Sequence, residues 1–516
     1  MKSVMKHRFS EVPDVSIPRS TFDRSCGYKT TFDAGYLVPV FVDEALPGDT
    51  FKVNMNGFAR LSTPTYPIMD NMMLDTFFFA VPIRLLWENW KKFCGEQVDP
   101  GDSISFTIPT TTLNNVSNET LYDYLGCPTK IAANYTVNNL FARAYNMIWR
   151  DWFRDENLQD SPVVDIDDGP DTSTDYVLLK RGKRHDYFTS ALPWLQKGDA
   201  VQLSLGTTAP VVASGGGAPV FNSVTAGNRT LDHDATVNVS VSGAATGGGD
   251  TLGWYDPKLN ANLASATAST VNELRQAIQV QRLLEKDARS GTRYIEIVRS
   301  HFGVTSDDAR QQRPEYLGGG STPINITPIA RTDSSPGSLG AMGTTGFTRH
   351  GFVKSFTEHC VIIGLACVRA DLTYQEGLDR MFSRSTRYDF YWPTLAHLGE
   401  QSILNKEIYL DAATIGAGTD DDVFGYQERY AEYRYKPSKI TGKMRSNDAA
   451  TLDAWHLGIE FGTTPTLDDT FIQESPPVDR VIVTPTEPHF IFDSYTQMAC
   501  TRPMPIYSVP GYIDHF

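Results

Sequence analysis

The stretch Cys360-Val361-Ile362-Ile363-Gly364-Leu365-Ala366-Cys367-Val368 carries no charged residue. It is far shorter than the ~20 residues needed to span a bilayer, and a short, continuous apolar run suits a strand covered on both faces. Thr76-Phe77-Phe78-Phe79-Ala80-Val81 reads the same way. Earlier in the chain, strands over 37–42 and 50–55 flank the turn-rich connector Asp43-Glu44-Ala45-Leu46-Pro47-Gly48-Asp49. Val481-Ile482-Val483 and Phe490-Ile491-Phe492 supply two more near the C-terminus. Short strands punctuated by Gly, Pro, Asn and Asp are the pattern of sandwiches and barrels. Early and late strands both look core-forming, so the two ends are expected to pair across a long intervening sequence, a mainly β arrangement of high contact order.

The 516 residues leave room for about three domains or one elaborated one. With 41% hydrophobic and 21% charged residues, the composition is that of a globular protein and excludes disorder of the whole chain. Acidic residues outnumber basic ones 61 to 46, and a net charge of −15 opposes a general nucleic-acid coat held by its own charge. Six cysteines lie far apart with no CxxC pair, so they read as reduced thiols rather than a disulfide framework or zinc ribbon. Lys2, Lys6, His7 and Arg8 are followed by Ser10, Glu11, Pro13 and Asp14 where a secretory signal needs its apolar stretch, so no such signal is expected.

Two helices interrupt the β pattern. Leu140, Phe141, Ala144, Tyr145, Ile148, Trp149 and Trp152 recur at helical spacing after Asn138 and Asn139, predicting a helix over 140–154 that docks an aromatic face on a core. A second begins at Thr270, with Glu273 completing a capping box, and stops near Gly291. Between them, residues 196–269 are rich in Gly, Ala, Ser and Thr and sparse in charge. Val201, Leu203 and Leu205, and then Val237, Val239 and Val241, alternate with polar residues as half-buried strands do. The chain therefore divides into a first part of the core (1–195), a β-rich insertion with glycine loops at Gly215, Gly216, Gly217 and Gly247, Gly248, Gly249 (196–269), and the rest of the core with a C-terminal arm (270–516).

No catalytic spacing stands out: there is no G-x-S-x-G elbow, no H-E-x-x-H and no ligand-like histidine pair. Gly318-Gly319-Gly320-Ser321-Thr322 lacks the Gly-Lys-[Ser/Thr] ending of a phosphate loop and reads as a flexible turn. Asp151, Asp155, Glu156, Asp160, Asp165, Asp167, Asp168, Asp171 and Asp175 are the one candidate for a divalent cation, but they fail the EF-hand rule and read as a solvated acidic loop. No other cofactor is implied. Basic residues cluster at Lys180, Arg181, Lys183, Arg184 and His185. They cluster again at Arg429, Arg434, Lys436, Lys439, Lys443 and Arg445, interleaved with Tyr430, Tyr433 and Tyr435. Charge beside aromatic rings is how single-stranded nucleic acid is held. The competing reading is a subunit contact in which Glu428 and Glu432 pair with neighbouring arginines. Of these residues, Lys180, Arg181, Lys183, Arg184, Arg434, Lys436 and Lys439 are the candidates for facing nucleic acid.

Longer motifs point to a family. Ile17-Pro18-Arg19-Ser20, the run Tyr28-Lys29-Thr30-Thr31-Phe32-Asp33-Ala34-Gly35-Tyr36-Leu37-Val38-Pro39, and Arg181-Gly182-Lys183-Arg184-His185-Asp186-Tyr187-Phe188 resemble the major capsid protein of microviruses, in particular the gokushovirus branch. The likeness continues through Glu296-Ile297-Val298-Arg299-Ser300-His301-Phe302-Gly303-Val304 and Arg313-Pro314-Glu315-Tyr316-Leu317-Gly318-Gly319-Gly320. It ends with Ala431-Glu432-Tyr433-Arg434-Tyr435-Lys436-Pro437-Ser438 and the closing Pro510-Gly511-Tyr512-Ile513-Asp514-His515-Phe516, so it covers nearly the whole chain.

The resemblance implies a viral jelly roll, eight antiparallel strands in two sheets with long insertions. It also implies a structural, non-enzymatic subunit that assembles with copies of itself into the smallest class of icosahedral shell (T=1) around a circular single-stranded DNA genome. Assembly inside the bacterial host cytoplasm is expected, with a small basic DNA-binding virion protein as partner. The 196–269 insertion, with Asn228 among its glycine loops, would form a host-facing protrusion. Extended Pro-rich sequence such as 502–510 could lie across a neighbouring subunit. The alternative on the same fold is a carbohydrate-binding protein or glycan-active enzyme, since fold alone does not decide function; an enzyme would need a close carboxylate pair.

Overall fold

A computed structural model describes residues 18–201, 211–213, 220–223, 227–233, 239–241, 252–256, 259–261, 270–305, 312–330, 339–411 and 419–507. The chain forms two compact units, residues 1–195 with 290–516 and residues 196–289.

Ten described strands of the first unit build two antiparallel sheets: β1 (Ser20–Asp23), β2 (Cys26–Phe32), β3 (Val38–Ala45), β4 (Thr50–Leu61), β5 (Met72–Pro82), β6 (Glu315–Pro323), β7 (Asn325–Ala330), β8 (Leu339–Ser355), β9 (Cys360–Ala370) and β10 (Phe490–Arg502). In the larger sheet β1 and β2 lie along β10, followed by β4, β8 and β7; the smaller runs β6-β5-β9-β3. Ser20 faces Arg502 and Phe32 faces Phe490, so the two ends of the chain do pair across the intervening sequence. The chain changes sheet from β2 to β3, β3 to β4 and β4 to β5, keeps the same sheet into β6, and then changes again into β7, β9 and β10. This strand order matches that of a jelly roll.

The continuous apolar run of β9 reflects two cores, one on each side. Ile362, Ala366 and Val368 join Phe51, Val53, Met55, Phe78, Phe490 and Phe492 between the sheets. Val361, Ile363, Leu365 and Cys367 point the other way, onto Ala144, Tyr145 and Ile148 of helix α1 (Leu140–Trp152). Every residue of β9 is consequently buried, whereas β10 alternates strictly between buried and exposed from Phe490 to Cys500. The larger sheet thus buries one face and leaves the other to solvent.

Helix α1 begins where expected and ends at Trp152 rather than 154. The Leu140 N–H donates to Asn138 Oδ1 (2.9 Å), while Asn139 accepts from the Tyr122 hydroxyl and donates to Asp171 instead of capping. A third cluster, with Tyr187, Phe188, Tyr374, Ile403, Ile408, Phe424 and Phe471, joins the two long connections that leave the sheets after β5 and after β9.

Two local expectations are corrected. Val481-Ile482-Val483 forms no strand: Ile482 makes a single bridge to Pro64 at the end of a short 3-10 turn, and Val478 and Val481 are core residues of that turn. Gly318-Gly319-Gly320 is not a turn but the middle of β6, paired with β5 across a bulge. Glycine is needed there for close approach: a Cβ on Gly319 would sit 2.0 Å from the Thr76 carbonyl oxygen, and one on Gly318 would sit 2.5 Å from that of Gly351.

In the second unit, Val220–Ser223, Gly227–His233, Val239–Val241 and Leu252–Asp256 form a four-stranded sheet, and Val211–Ala213 pairs with Leu259–Ala261. The unit runs past 269 because helix α2 (Val271–Arg289) belongs to it, and the Lys197 N–H donates to the Leu284 carbonyl. The capping box is present: the Thr270 N–H donates to Glu273 Oε2 (2.8 Å) and the Glu273 N–H to Thr270 Oγ1 (3.2 Å). Leu203, Leu205 and Val237 lie outside the described residues.

Candidate nucleic-acid and subunit interfaces

The first basic cluster is largely turned inward. Arg181 Nη1 donates to Asp75 Oδ2 at 2.7 Å, with the two side chains 15% and 9% exposed. The same oxygen accepts from Arg369 Nε (2.9 Å), and Ser321 Oγ donates to the other oxygen, so Asp75 ties β5, β6, β9 and the 180–185 segment together. Lys183 Nζ donates to the Phe471 carbonyl (2.6 Å) and lies 4.6 Å from the centre of that ring. Burial pushes the Lys183 amine below its ordinary 10.5. Lys180 is half-buried, donating to Ser475 Oγ and lying over Tyr36, while Arg184 and His185 are exposed.

The second cluster lies at the surface. Arg434, Lys436 and Lys439 are exposed; Arg434 pairs with Glu428, and Lys439 with Asp379 at 2.6 Å. Arg384 donates to Glu432 (3.2 Å) while its guanidinium lies 4.4 Å from the Tyr433 ring centre and 5.5 Å from that of Phe390. Tyr391 packs edge-on against Tyr430 (5.3 Å) and near Tyr433 (6.2 Å), and Arg387 covers Trp392 (4.6 Å). Sequence reasoning found the tyrosines at 430–435 but not their partners at 381–392, although the density of aromatics in Arg387-Tyr388-Asp389-Phe390-Tyr391-Trp392 was the available signal.

The acidic stretch is only partly solvated. Asp171 and Asp151 are buried, and Glu156 pairs with Arg293 and accepts from Thr292. Asp168 accepts from Trp87 Nε1 (2.6 Å) and Asn89 (2.9 Å), hydrogen bonds that hold its carboxyl below the ordinary carboxylate value. The carboxylates anchor the loop: Arg143 ties it to the preceding helix α1, and Trp87 and Arg293 tie it to segments remote in sequence. Among the described residues no three His, Cys, Asp or Glu converge as a metal would require.

Of the host-facing candidates, Asn228 lies in the strand Gly227–His233 opposite Asn222, and the six glycines at 215–217 and 247–249 fall outside the described residues. A cleft of ≈ 460 Å³ is lined by Asp33, Tyr36, Glu119, Tyr122, Tyr124 and Tyr176 among others. Among the described residues, the carboxyls that burial pushes above their ordinary value are Glu376, Glu407 and Glu474, and none of them lines it. Each is bonded to backbone, Glu376 accepting from the Phe461 N–H, Glu407 from that of Leu404 and Glu474 from that of Ala370. Perturbed acids here serve the fold rather than a sugar site.

A family model described as Capsid protein (F protein) matches residues 10–512. The chain belongs to this phage capsid family. It is 47% identical to Capsid protein VP1 of Bdellovibrio phage phiMH2K, over 99% of this chain and 98% of the relative. Identity is 44% to Capsid protein VP1 of Chlamydia phage 1, over 99% and 98%, and 34% to that of Spiroplasma virus 4, over 98% and 97%. The resemblance to microvirus major capsid proteins therefore holds along the whole length. The capsid protein is a structural component of the virion and not an enzyme, as its family assigns. The carbohydrate reading is not favoured. No described helix is long and apolar enough to cross a membrane.

Proposed function

We propose that the capsid protein closes, as many identical copies, into a T=1 icosahedral shell around a circular single-stranded DNA genome. The observation that carries this reading is the aromatic surface of the 381–392 segment. Phe382 is 69%, Tyr388 66% and Tyr391 51% exposed, and Tyr391 adjoins Tyr433, itself 52% exposed. A monomer rarely leaves so much contiguous apolar area to water, and a symmetric subunit contact would cover it. Arg184, Arg434, Lys436 and Lys439 are exposed and are the genome-facing candidates of the two clusters; Arg181 and Lys183 serve the fold. A chain of net charge −15 cannot neutralise a polyanion in net, which supports a small basic virion protein as packaging partner. The unit 196–289 would meet the host receptor.

Expression in bacteria followed by electron microscopy tests the shell: closed particles are expected, and a chain that stays monomeric at all concentrations and salts overturns it. Neutralising Arg434, Lys436 and Lys439 is expected to lower packaged DNA without lowering shell yield, and loss of shells would place them in a subunit contact. Deleting residues 206–268 should leave particles that assemble but adsorb poorly to host cells.

A further inference from the structure

We infer that the solvent-facing side of the larger sheet is a stacking platform for unpaired nucleotides. The inference rests on the reading of the chain as a shell subunit around single-stranded DNA and names a surface that neither basic cluster includes.

Strand alternation creates the platform. Phe32, Phe51, Val53, Met55, Phe490 and Phe492 turn into the core, so the alternate residues of β2, β4 and β10 face solvent. Two of these are aromatic: Phe58 is 50% and Tyr495 51% exposed. They stand on neighbouring strands, Phe58 opposite Asp493 and Tyr495 opposite Asn56, so they are diagonal neighbours on one face. Each ring has a glycine across the strand on its other side, Gly346 opposite Phe58 and Gly27 opposite Tyr495. With no side chain on those flanks, ring area is left uncovered for a base.

The polar surroundings suit a nucleotide better than a protein. Asn54, Asn56 and Gln497 can donate to and accept from base edges. Lys52 and Arg60 are exposed on β4, Arg349 projects from the bulge of β8 beside Asn56, and Arg19 donates to Thr50 at one end. Lys29 pairs across the strands with Asp493, and Asp23 and Glu119 are the other acids at the margin. Five cations against three carboxylates reverse the sign of the whole chain, which is the complementarity a polyanion requires. An obligate contact between copies would be expected to present a larger apolar patch than the exposed aliphatic residues of this face, Val353 and Ile491, supply.

The test measures binding of the full chain to fluorescein-labelled oligo(dT) by anisotropy across a salt series, alongside particle yield. Phe58→Ala and Tyr495→Ala should each weaken binding about tenfold, since a stacked base contributes ~1–3 kcal/mol. Lys52→Gln with Arg60→Gln should lower the slope of log affinity against log salt by about 1.4, at roughly 0.7 per phosphate contact on a single strand. Val98→Ala, an exposed position off the sheet, should change neither. Because all these side chains are exposed, circular dichroism melts should match the parent. Unchanged affinity in the Phe58 and Tyr495 variants overturns the inference, as does loss of particles with unchanged oligo(dT) affinity, which would make the face a contact between copies. Particles that form but contain no DNA would count against the genome reading itself, while oligo(dT) binding that ignores these substitutions would count against the platform alone.

Discussion

Arg143 Nε lies 2.7 Å and Nη2 2.5 Å from the two carboxylate oxygens of Asp171, and the two side chains are 0% and 1% exposed. The remaining donors of Arg143 reach the carbonyls of Leu86 and Asp167 and a carboxylate oxygen of Asp167, so all five N–H bonds have acceptors. Burial disfavours the Asp171 charge, yet Arg143, Asn139 and Tyr176 outweigh it and hold the carboxyl below its ordinary 3.8. The pair clamps helix α1 to the loop after it, beneath the second core. Arg143→Ala leaves a buried, uncompensated carboxylate and should cost about 3–5 kcal/mol. Thermal unfolding of the isolated chain should show a clearly lowered Tm, and an Asp171→Asn, Arg143→Met double variant should recover part of it.

Gly319 and Gly462 offer a matched comparison. A Cβ at Gly319 meets the Thr76 carbonyl, whereas one at Gly462 meets nothing within 4 Å. Gly319→Ala is expected to destabilise by about 3 kcal/mol, because the β6 backbone must move off β5. Gly462→Ala should be within ~0.5 kcal/mol of the parent. Urea unfolding of the two variants side by side checks this.

His350 is buried between the sheets, its Nδ1 2.9 Å from Thr76 Oγ1 and its Nε2 3.1 Å from Thr322 Oγ1, with the ring stacked on Phe347 at 4.4 Å. Burial lowers its pKa below 6.5, with the Asp75 charge acting in the opposite direction. A base whose folded pKa is depressed stabilises fully above its unfolded pKa and loses that contribution as pH falls through the folded value. Stability should therefore decline below about pH 6.5, and His350→Gln should decline less over the same range. Unfolding midpoints at about pH 5 and 7 for the two chains measure the difference.

The six cysteines should sort by burial. Cys26 and Cys94 are exposed, Cys127 is intermediate, and Cys360, Cys367 and Cys500 are buried. Burial pushes the Cys360 and Cys367 thiols up to about 12, so neither offers thiolate at neutral pH. Brief iodoacetamide treatment of the native chain, read by mass spectrometry, should label Cys26 and Cys94 and leave Cys360 and Cys367 untouched. Labelling of Cys367 would mean that β9 opens readily.

Much was legible where one local rule governs. The apolar run of β9, the helix at Leu140 and the Thr270–Glu273 capping box each follow from period or spacing, and each was found within a few residues. Residue-level site assignment was harder. Arg181 and Lys183 look like a surface cluster in one dimension, and only the return of Asp75 and Phe471 from other segments turns them inward. Phe58 and Tyr495 carry no motif at all; their nearness is a matter of register between strands more than 400 residues apart.

By itself the sequence determined the class of fold and, through its long family-like runs, a capsid protein, because those depend on patterns continuous along the chain. Tertiary structure alone decided which charges are structural and which reach solvent, because that depends on partners brought from remote segments by strand pairing. The run that begins at Cys360 holds both lessons. Its apolarity announced a strand buried on both faces, but that one face meets the other sheet and the other a helix is decided by where β4, β10 and α1 lie.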